Sequence, residues 1–390
     1  RYEEAKNYAE RGLEDQNLSQ EWRQRLAWYA GLYSYLINDL SSAHQQWLQL
    51  LAEDPEDSYR AKILFWLART EMKMNRGDEA QKYINRLGMD YPISYYYLIA
   101  ARQFCAENKL NWQVPFETPL ELLESLQTSS LDLPTSFFSD EQTKRLRLQT
   151  ELLIQANILP WAKITLGELW GTVRSKYSIH KYPDLYVYMS RLMHGASSFS
   201  RAISISNEVR SLHKDFWRKW PEQLLIYFPR PFSGIYRDAN RAYQVDEDLM
   251  YAITHQESGF SPDVKSEANA YGLMQIIVPT AKRFARKVGV SEAQLSDMLI
   301  QPEINVAIGA LYLKQLSRIY PQRDYAVYAA YNAGENVVDI WQKNRYHPDP
   351  FMWIELIPFG ETQTYTKNVW RNHFLYKYLS KAFDPALTNL

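Results

Sequence analysis

The sequence has a single cysteine, Cys105, which excludes an intrachain disulfide and a metal site built from cysteines. It has no run of 18 consecutive apolar residues, so no transmembrane helix is predicted. A formal net charge of −1 at pH 7 gives no electrostatic reason to expect nucleic acid or an anionic membrane as the main ligand. The 7 histidines are scattered, and no glycine-rich phosphate loop occurs. We therefore expect no metal, no cofactor and no nucleic-acid partner.

Glycine is also scarce, with 14 among 390 residues, or about half the usual share. This scarcity argues against turn-dense β structure and favours long helices. Hydrophobic residues at 46% and charged residues at 23% are typical of a soluble globular protein, and the length allows two domains. The 12 Trp and 29 Tyr are expected mainly to fill helix packing, with some placed to stack on sugar rings.

The first hundred residues repeat weakly with a period of 37 residues. The recurring positions are Leu26, Trp28, Tyr29, Ala43, Leu50 and Pro55, which match Ile63, Phe65, Trp66, Ala80, Leu87 and Pro92. Such a pattern is typical of helix pairs, which stack because one hairpin cannot bury its apolar face alone. Helices are also predicted over 140–170, broken at Pro160, and over 183–212, while 115–134 is predicted to be loop around a short helix. We assign residues 1–214 to a helical-repeat, superhelical domain.

A segment dense in aromatic residues and proline follows at 215–232. A flexible linker would be rich in Gly, Ser or charge, so we predict a packed connector at a domain boundary. The second domain is predicted to span 222–390, with the last residues of the connector packed onto it.

One carboxylate in the second domain has an unusual predicted position. Asp246 is the predicted N-cap of a helix whose apolar residues have helical spacing and whose stop signal is Gly259. Glu257 then falls in the last turn, where the negative end of the helix dipole raises a carboxyl pKa. Neighbours such as Phe260 and Leu273 would raise this pKa further by desolvation. Although an isolated glutamate is usually a solvated surface residue, a carboxyl that keeps its proton near neutral pH suits general acid catalysis.

Four sequence blocks around this glutamate follow the order of a known family. They are Gln256-Glu257-Ser258-Gly259-Phe260, Tyr271-Gly272-Leu273-Met274-Gln275, Ala330-Tyr331-Asn332-Ala333-Gly334 and Ile357-Pro358-Phe359-Gly360-Glu361-Thr362-Gln363-Thr364-Tyr365. Together they resemble the signature of the soluble lytic murein transglycosylases (lytic transglycosylase family 1), whose catalytic domain is similar to goose-type lysozyme. The resemblance implies an all-α protein, with an N-terminal helical-repeat superhelix followed by a lysozyme-like, mostly α-helical catalytic domain.

The resemblance also implies roles for individual residues. Glu257 is the single catalytic residue. The substrate-binding residues are Ser266, Met274, Gln275, Tyr331, Asn332, Glu361 and Tyr365. Tyr331 is expected beside the acid, in a hydrogen bond with the acid or with the substrate.

The blocks depart from the family pattern at a few positions. Asn269 and Asn336 stand where the family has Gly, and since Asn tolerates positive φ, both are predicted to adopt it. Glu335 stands where family members commonly have Pro. The stretch 277–280 reads Ile-Val-Pro-Thr instead of the family's Met-Pro-x-Thr, which predicts a slightly altered loop.

Most glycosidases use two carboxylates, whereas these blocks offer one in the position of the acid. The resemblance implies that Glu257 protonates the glycosidic oxygen and then takes the proton of the muramic acid 6-hydroxyl, which closes onto C1 to give a 1,6-anhydro sugar. One alternative is a goose-type-lysozyme-like hydrolase of the same glycan, and another is a non-catalytic glycan-binding scaffold. A metal site at His255-Gln256-Glu257 is rejected, because deaminases with His-x-Glu need a following cysteine pair.

The sequence begins at Arg1 and contains no signal peptide. We expect a processed or trimmed chain whose export signal lay upstream, and a location in the periplasm or elsewhere in the cell envelope, such as the outer membrane. Peptidoglycan glycan strands are the expected partner, with other cell-wall proteins as further candidates, and the chain is expected to be a monomer.

Overall fold

The computed structural model describes residues 1–128, 137–138 and 140–380. Over these residues the chain is helical, apart from one short two-stranded hairpin, which confirms the all-α fold class. Within the same ranges, no helix has both the length and the apolar character needed to cross a membrane. The chain divides into two compact units, Arg1–Pro115 and Phe116–Leu390.

The first unit is built from successive helix pairs. Its helices are α1 (Tyr2–Leu13), α2 (Gln20–Leu36), α3 (Leu40–Ala52), α4 (Asp57–Lys73), α5 (Gly77–Asp90), a π-helix (Tyr96–Ala101) and α6 (Arg102–Asn108). Helices α4 and α5 begin at residues 57 and 77, one repeat of 37 after α2 and α3 at 20 and 40, which confirms the predicted repeat. The equivalent residues Trp28 and Phe65 are both buried, and Trp47 stacks on Trp28 with ring centroids 5.3 Å apart. Trp47 also contacts Trp66 of α4 with ring centroids 6.2 Å apart, so aromatic residues fill the core both within and between pairs.

The second unit begins with more helix pairs. These helices are α7 (Pro119–Thr128), α8 (Glu141–Gln155), α9 (Leu159–Lys176), α10 (Pro183–Gly195) and α11 (Phe199–Leu212). The helices predicted over 140–170 and 183–212 are confirmed, but the first pair is broken at 156–158 and not at Pro160. Pro160 lies in the first turn of α9, because its fixed φ and missing N–H suit that position. The short helix expected within 115–134 is α7, and the predicted loop after it lies outside the described residues.

The segment 215–232 contains two short helices, α12 (Phe216–Lys219) and α13 (Gln223–Tyr227). It is packed onto the preceding helices: the Oε1 atom of Gln223 accepts a hydrogen bond of 2.9 Å from Ser190 in α10 and one of 3.4 Å from Ser206 in α11. Arg191 and Glu222 form an ion pair beside this contact. Residues on both sides of the segment lie in the same compact unit, and the domain boundary suggested near residue 215 stays a prediction.

The remaining elements surround a central helix. They are α14 (Ser233–Tyr243), α15 (Glu247–Glu257), β1 (Ala270–Tyr271), β2 (Ile276–Ile277), α16 (Val278–Lys282), 3-10 helices at Ala285–Val288 and Glu292–Gln294, α17 (Leu295–Met298), α18 (Pro302–Ile319), α19 (Asp324–Ala333), α20 (Glu335–Asn344), α21 (Pro350–Glu355) and α22 (Gly360–Leu379). The buried rings of Tyr236 in α14, Tyr251 in α15 and Tyr376 in α22 stack in series, with centroids 4.1 and 5.4 Å apart. This stack fixes α15 between its two neighbours.

Candidate active site

Helix α15 begins and ends where the sequence predicts. The Asp246 side chain accepts a hydrogen bond of 2.9 Å from the backbone N–H of Asp248 and so caps the helix. Arg230 pairs with Glu247 at 3.2 Å and with Asp248 at 2.6 Å, which neutralises the acidic first turn. Glu257 is the last residue of the helix. The carboxylate is therefore held at the end of a rigid, buried element.

Glu257 lies in surroundings that favour the protonated carboxyl. Burial is the main cause that raises its pKa, to about 7 from the usual 4.5. The Tyr365 hydroxyl donates a hydrogen bond of 2.6 Å to Oε1 of Glu257 and lowers the pKa, while the charge of Glu361 raises it. A carboxyl with these properties can donate a proton near neutral pH and take it back.

The loop after Glu257 has an unusual backbone. Gly259 has φ +55° and Phe260 has φ +69°, a value that costs a bulky L-residue on the order of 1 kcal/mol. Phe260 is nevertheless buried, and its N–H donates to the Ser258 hydroxyl at 3.1 Å. The same hydroxyl donates to the carbonyl oxygen of Leu273 at 2.7 Å. Ser258, for which the sequence suggested no separate role, thus ties the acid's loop to the second motif block.

The second block forms the hairpin. Strands β1 and β2 are antiparallel, with Ala270 opposite Ile277. The turn needs Gly272, since φ is +72° and a Cβ atom there would lie 2.5 Å from the carbonyl oxygen of Leu299. Gln275 has φ +48°, and its side-chain amide donates back to the Gly272 carbonyl oxygen at 2.9 Å. The side-chain amide of Gln275, which was expected to bind sugar, is thus held in place by a hydrogen bond within the turn.

Met274 connects three segments through its backbone. Its N–H donates to Oδ1 of Asn305 in α18 at 2.7 Å, and its carbonyl oxygen accepts from the Tyr331 hydroxyl at 2.9 Å. Its side chain is 0% exposed. The Met274 side chain was expected to contact substrate, but it has no accessible surface with which to do so. It belongs to the core.

Tyr331 is near the acid without a direct hydrogen bond to it. Burial, with the charge of Glu257 as the next cause, raises the pKa of Tyr331 well above its usual value. The hydroxyl group that contacts Glu257 directly belongs to Tyr365. Tyr365, expected from the sequence to bind substrate, is a partner of the acid in this structure.

The other residues implied by the resemblance occupy three places. Oδ1 of Asn332, at the end of α19, accepts from the Thr362 hydroxyl in α22 at 2.6 Å. Glu361 is exposed in the first turn of α22, one turn before Tyr365. Ser266 lies in the loop before β1, where its hydroxyl accepts from the N–H of Ala270 at 3.1 Å. Their contacts with sugar stay predictions.

The two asparagine predictions have different outcomes. Asn269 has φ +57°, as predicted. The prediction for Asn336 is wrong, because that residue lies in the first turn of α20. Gly334, with φ +85°, makes the turn between the two helices, so the chain is already helical at Asn336.

Sequence reasoning also missed Asn305. It is completely buried, and its Nδ2 donates to the carbonyl oxygens of Tyr271 and Leu299, each at 2.7 Å. The available signal was a polar residue among the apolar positions of the α18 core face. In the part of the chain that the structure describes, no group of three or more His, Cys, Asp or Glu side chains could hold a metal ion.

Known proteins with similar sequences include bacterial transglycosylases. The family described as "Transglycosylase SLT domain" matches residues 235–354. The soluble lytic murein transglycosylase of Salmonella typhimurium is 34% identical over 143 residues, which are 36% of this chain and 22% of that protein. A putative soluble lytic murein transglycosylase of Haemophilus influenzae is 32% identical over 169 residues, or 43% of this chain and 28% of that protein. The aligned part is thus about a quarter of these relatives' length.

Two solved structures show the same fold. The lytic transglycosylase Slt of Pseudomonas aeruginosa, an inactive glutamate-to-glutamine mutant, superposes with a TM-score of 0.67 at 21% identity over 98% of this chain and 54% of that chain. The 70 kDa soluble lytic transglycosylase of Escherichia coli in complex with bulgecin A gives 0.65 at 20% identity, over 97% and 57%. Residues 235–354 thus match the transglycosylase SLT domain, and the chain as a whole shares its fold with both solved structures.

Proposed function

We propose that the chain is a peptidoglycan lytic transglycosylase that cleaves the β-1,4 bond between MurNAc and GlcNAc and leaves 1,6-anhydro-MurNAc ends. The observation that carries this proposal is Glu257, a carboxyl at a helix end with a pKa of about 7 and a hydrogen bond from Tyr365. In the Pseudomonas aeruginosa relative, replacement of a glutamate by glutamine gives an inactive protein.

The reaction uses the two protonation states of one group. Glu257 donates its proton to the glycosidic oxygen, and the bond from that oxygen to C1 breaks. The resulting carboxylate takes the proton of the MurNAc 6-hydroxyl, whose oxygen bonds to C1. No water is consumed, and the internal nucleophile makes the step effectively unimolecular. A pKa near 7 suits both halves, because it leaves each form accessible at neutral pH.

Glu361 does not fit the role of a second catalytic carboxylate. It is exposed, and by its charge it raises the pKa of Glu257. We assign it to binding of sugar hydroxyls, together with Ser266, Gln275, Tyr331 and Asn332, while Tyr365 holds and tunes the acid. Water in place of the 6-hydroxyl would turn the same site into a lysozyme-like hydrolase.

The test is mass spectrometry of purified peptidoglycan after incubation with wild type, Glu257→Gln and the control Glu303→Gln, which removes an exposed carboxylate in α18. We expect anhydro products from wild type and the control, and almost none from Glu257→Gln. Residual activity above about a tenth, a loss below about 1.4 kcal/mol, contradicts the acid assignment. Products with reducing ends would show that the protein is a hydrolase. If wild type cleaves nothing, the remaining alternative is a non-catalytic glycan-binding scaffold.

We further propose that the protein acts on glycan strands in the periplasm or elsewhere in the cell envelope, as a monomer. The substrate assignment supports this location, since peptidoglycan is found there. Fractionation of cells and light scattering of the purified protein test the two statements separately.

A further inference from the structure

A cluster of positively charged and polar side chains lies where α11, α13 and α22 meet. His255 links α13 to α22, because its Nε2 lies 2.9 Å from the carbonyl oxygen of Tyr227 and its Nδ1 lies 3.2 Å from Nδ2 of Asn372. The centre of the cluster is the buried Tyr227 hydroxyl, which donates to Oδ1 of Asn207 at 2.8 Å. Arg210, one turn further along α11, donates to the same oxygen at 3.1 Å. On α22, Arg371 donates twice to Oδ1 of Asn372, at 3.1 and 2.8 Å.

The cluster has more donors than acceptors. The Nε–H group of Arg210 is buried and has no acceptor among the described residues. Two of the N–H groups of Arg371 share one oxygen of Asn372. A guanidinium carries five N–H donors, so both side chains keep unused donors at this place.

The cluster also has no negative charge. Over the described residues, neither Arg210 nor Arg371 has a carboxylate within ion-pair distance. Elsewhere in the same unit, Arg191 pairs with Glu222, and Arg230 pairs with two carboxylates. Burial, together with the charge of Arg210, lowers the pKa of Arg371, so the two guanidiniums repel each other.

We propose that Arg210 and Arg371 form an oxyanion-binding site on the unit that carries the acid. Guanidinium groups bind carboxylate and phosphate oxygens through paired N–H donors, and such charge-assisted hydrogen bonds are about twice as strong as neutral ones. Two ligands share this chemistry: a carboxylate of the short peptides on a peptidoglycan strand, and a free inorganic anion. The peptide carboxylate as ligand rests on the proposed function, whereas the free anion does not.

The first experiment measures thermal unfolding of wild type, Arg210→Gln, Arg371→Gln and the control Arg318→Gln, an exposed arginine of α18. Inorganic phosphate is added at constant ionic strength. Phosphate should raise the Tm of wild type and control, and leave the Tm of both cluster variants unchanged. Without phosphate, Arg371→Gln should be at least as stable as wild type, because it removes one of two like charges. A phosphate shift retained in both variants, or Arg371→Gln much less stable than wild type without phosphate, overturns the proposal.

The second experiment identifies the ligand. Kinetics are compared on peptide-bearing glycan strands and on strands stripped of peptides by an amidase. For a peptide carboxylate, Arg371→Gln should raise KM about tenfold on peptide-bearing strands. Its kcat should not change, and neither should its KM on stripped strands. Equal KM values for wild type and variant on both substrates reject the peptide carboxylate and assign the site to a free anion. If wild type cleaves neither substrate, the proposed function fails, and the phosphate shift alone decides the anion site.

Discussion

Replacement of Glu257 by glutamine should stabilise the protein, and by an amount that depends on pH. The folded environment raises the pKa of Glu257 to about 7 from 4.5. Because the fold disfavours the charged carboxylate, wild type loses free energy of unfolding when this group ionises. Glutamine has nearly the same shape, can accept the Tyr365 hydrogen bond, and never ionises.

The sign and size of this effect follow from proton linkage. Below pH 4.5 the carboxyl is protonated in both states and costs nothing. Between 4.5 and 7 the folded state binds more protons than the unfolded chain, so the stability of wild type falls as pH rises. Above 7 the cost is complete, on the order of 3 kcal/mol for a shift of this size. The advantage of Glu257→Gln should therefore be absent in acid and fully developed in mild alkali.

Denaturant unfolding of both proteins, from about pH 4 to about pH 8.5, measures this difference directly. Glu303→Gln is the matched control, since it removes an exposed carboxylate elsewhere in the same unit. A Glu257→Gln advantage that is constant over the range would refute the reasoning, because it would come from packing and not from ionisation. An advantage that grows towards acid would mean that the fold favours the charged form.

Three further predictions concern neighbouring parts of the catalytic unit. Tyr365→Phe removes the hydrogen bond that lowers the pKa of Glu257, so the alkaline limb of the kcat/KM profile should move up by about one pH unit; an unmoved limb contradicts the contact. Asn269→Gly should be tolerated, whereas Asn269→Val should lower the free energy of unfolding by about 1 kcal/mol or more; equal thermal melts would exclude strain at this turn. A chain that starts at Trp217 loses the packing against α10 and α11, and circular dichroism should show a lower Tm than for one that starts at Phe116; equal melting would mean that those helices do not support the site.

The sequence predicts the elements of this fold well, because their determinants are local. The cap at Asp246 and the helical spacing of apolar residues define α15, and the period of 37 residues predicts the helix pairs of the first unit. Asn336 shows the limit of such reasoning. Replacement of a family glycine suggested positive φ, but the neighbouring Gly334 already makes the turn, so the next residues are free to be helical.

The contacts within the site are less predictable, because they join distant segments. The sequence places Glu257 at a helix end, yet Tyr365 reaches it from 108 residues further along the chain. Met274 matched a motif and was expected to bind sugar, but its apolar side chain fills the core while its backbone receives Tyr331. A motif match does not distinguish a residue that contacts substrate from one that supports such a residue.

The same distinction applies to the loop that follows Glu257. The pKa of Glu257 is raised mainly by burial, and the loop at Gly259 and Phe260 follows this residue directly in the chain. Phe260 keeps its unfavourable φ because Ser258 holds the loop to the hairpin. Gly259 lies against Ser200 at the start of α11, where a Cβ atom would come within 3.4 Å. The loop after Glu257 is thus held by a hydrogen bond to the hairpin and by packing against α11. Since α11 precedes the matched residues 235–354, the loop after Glu257 packs against a helix that lies outside the segment matching the family.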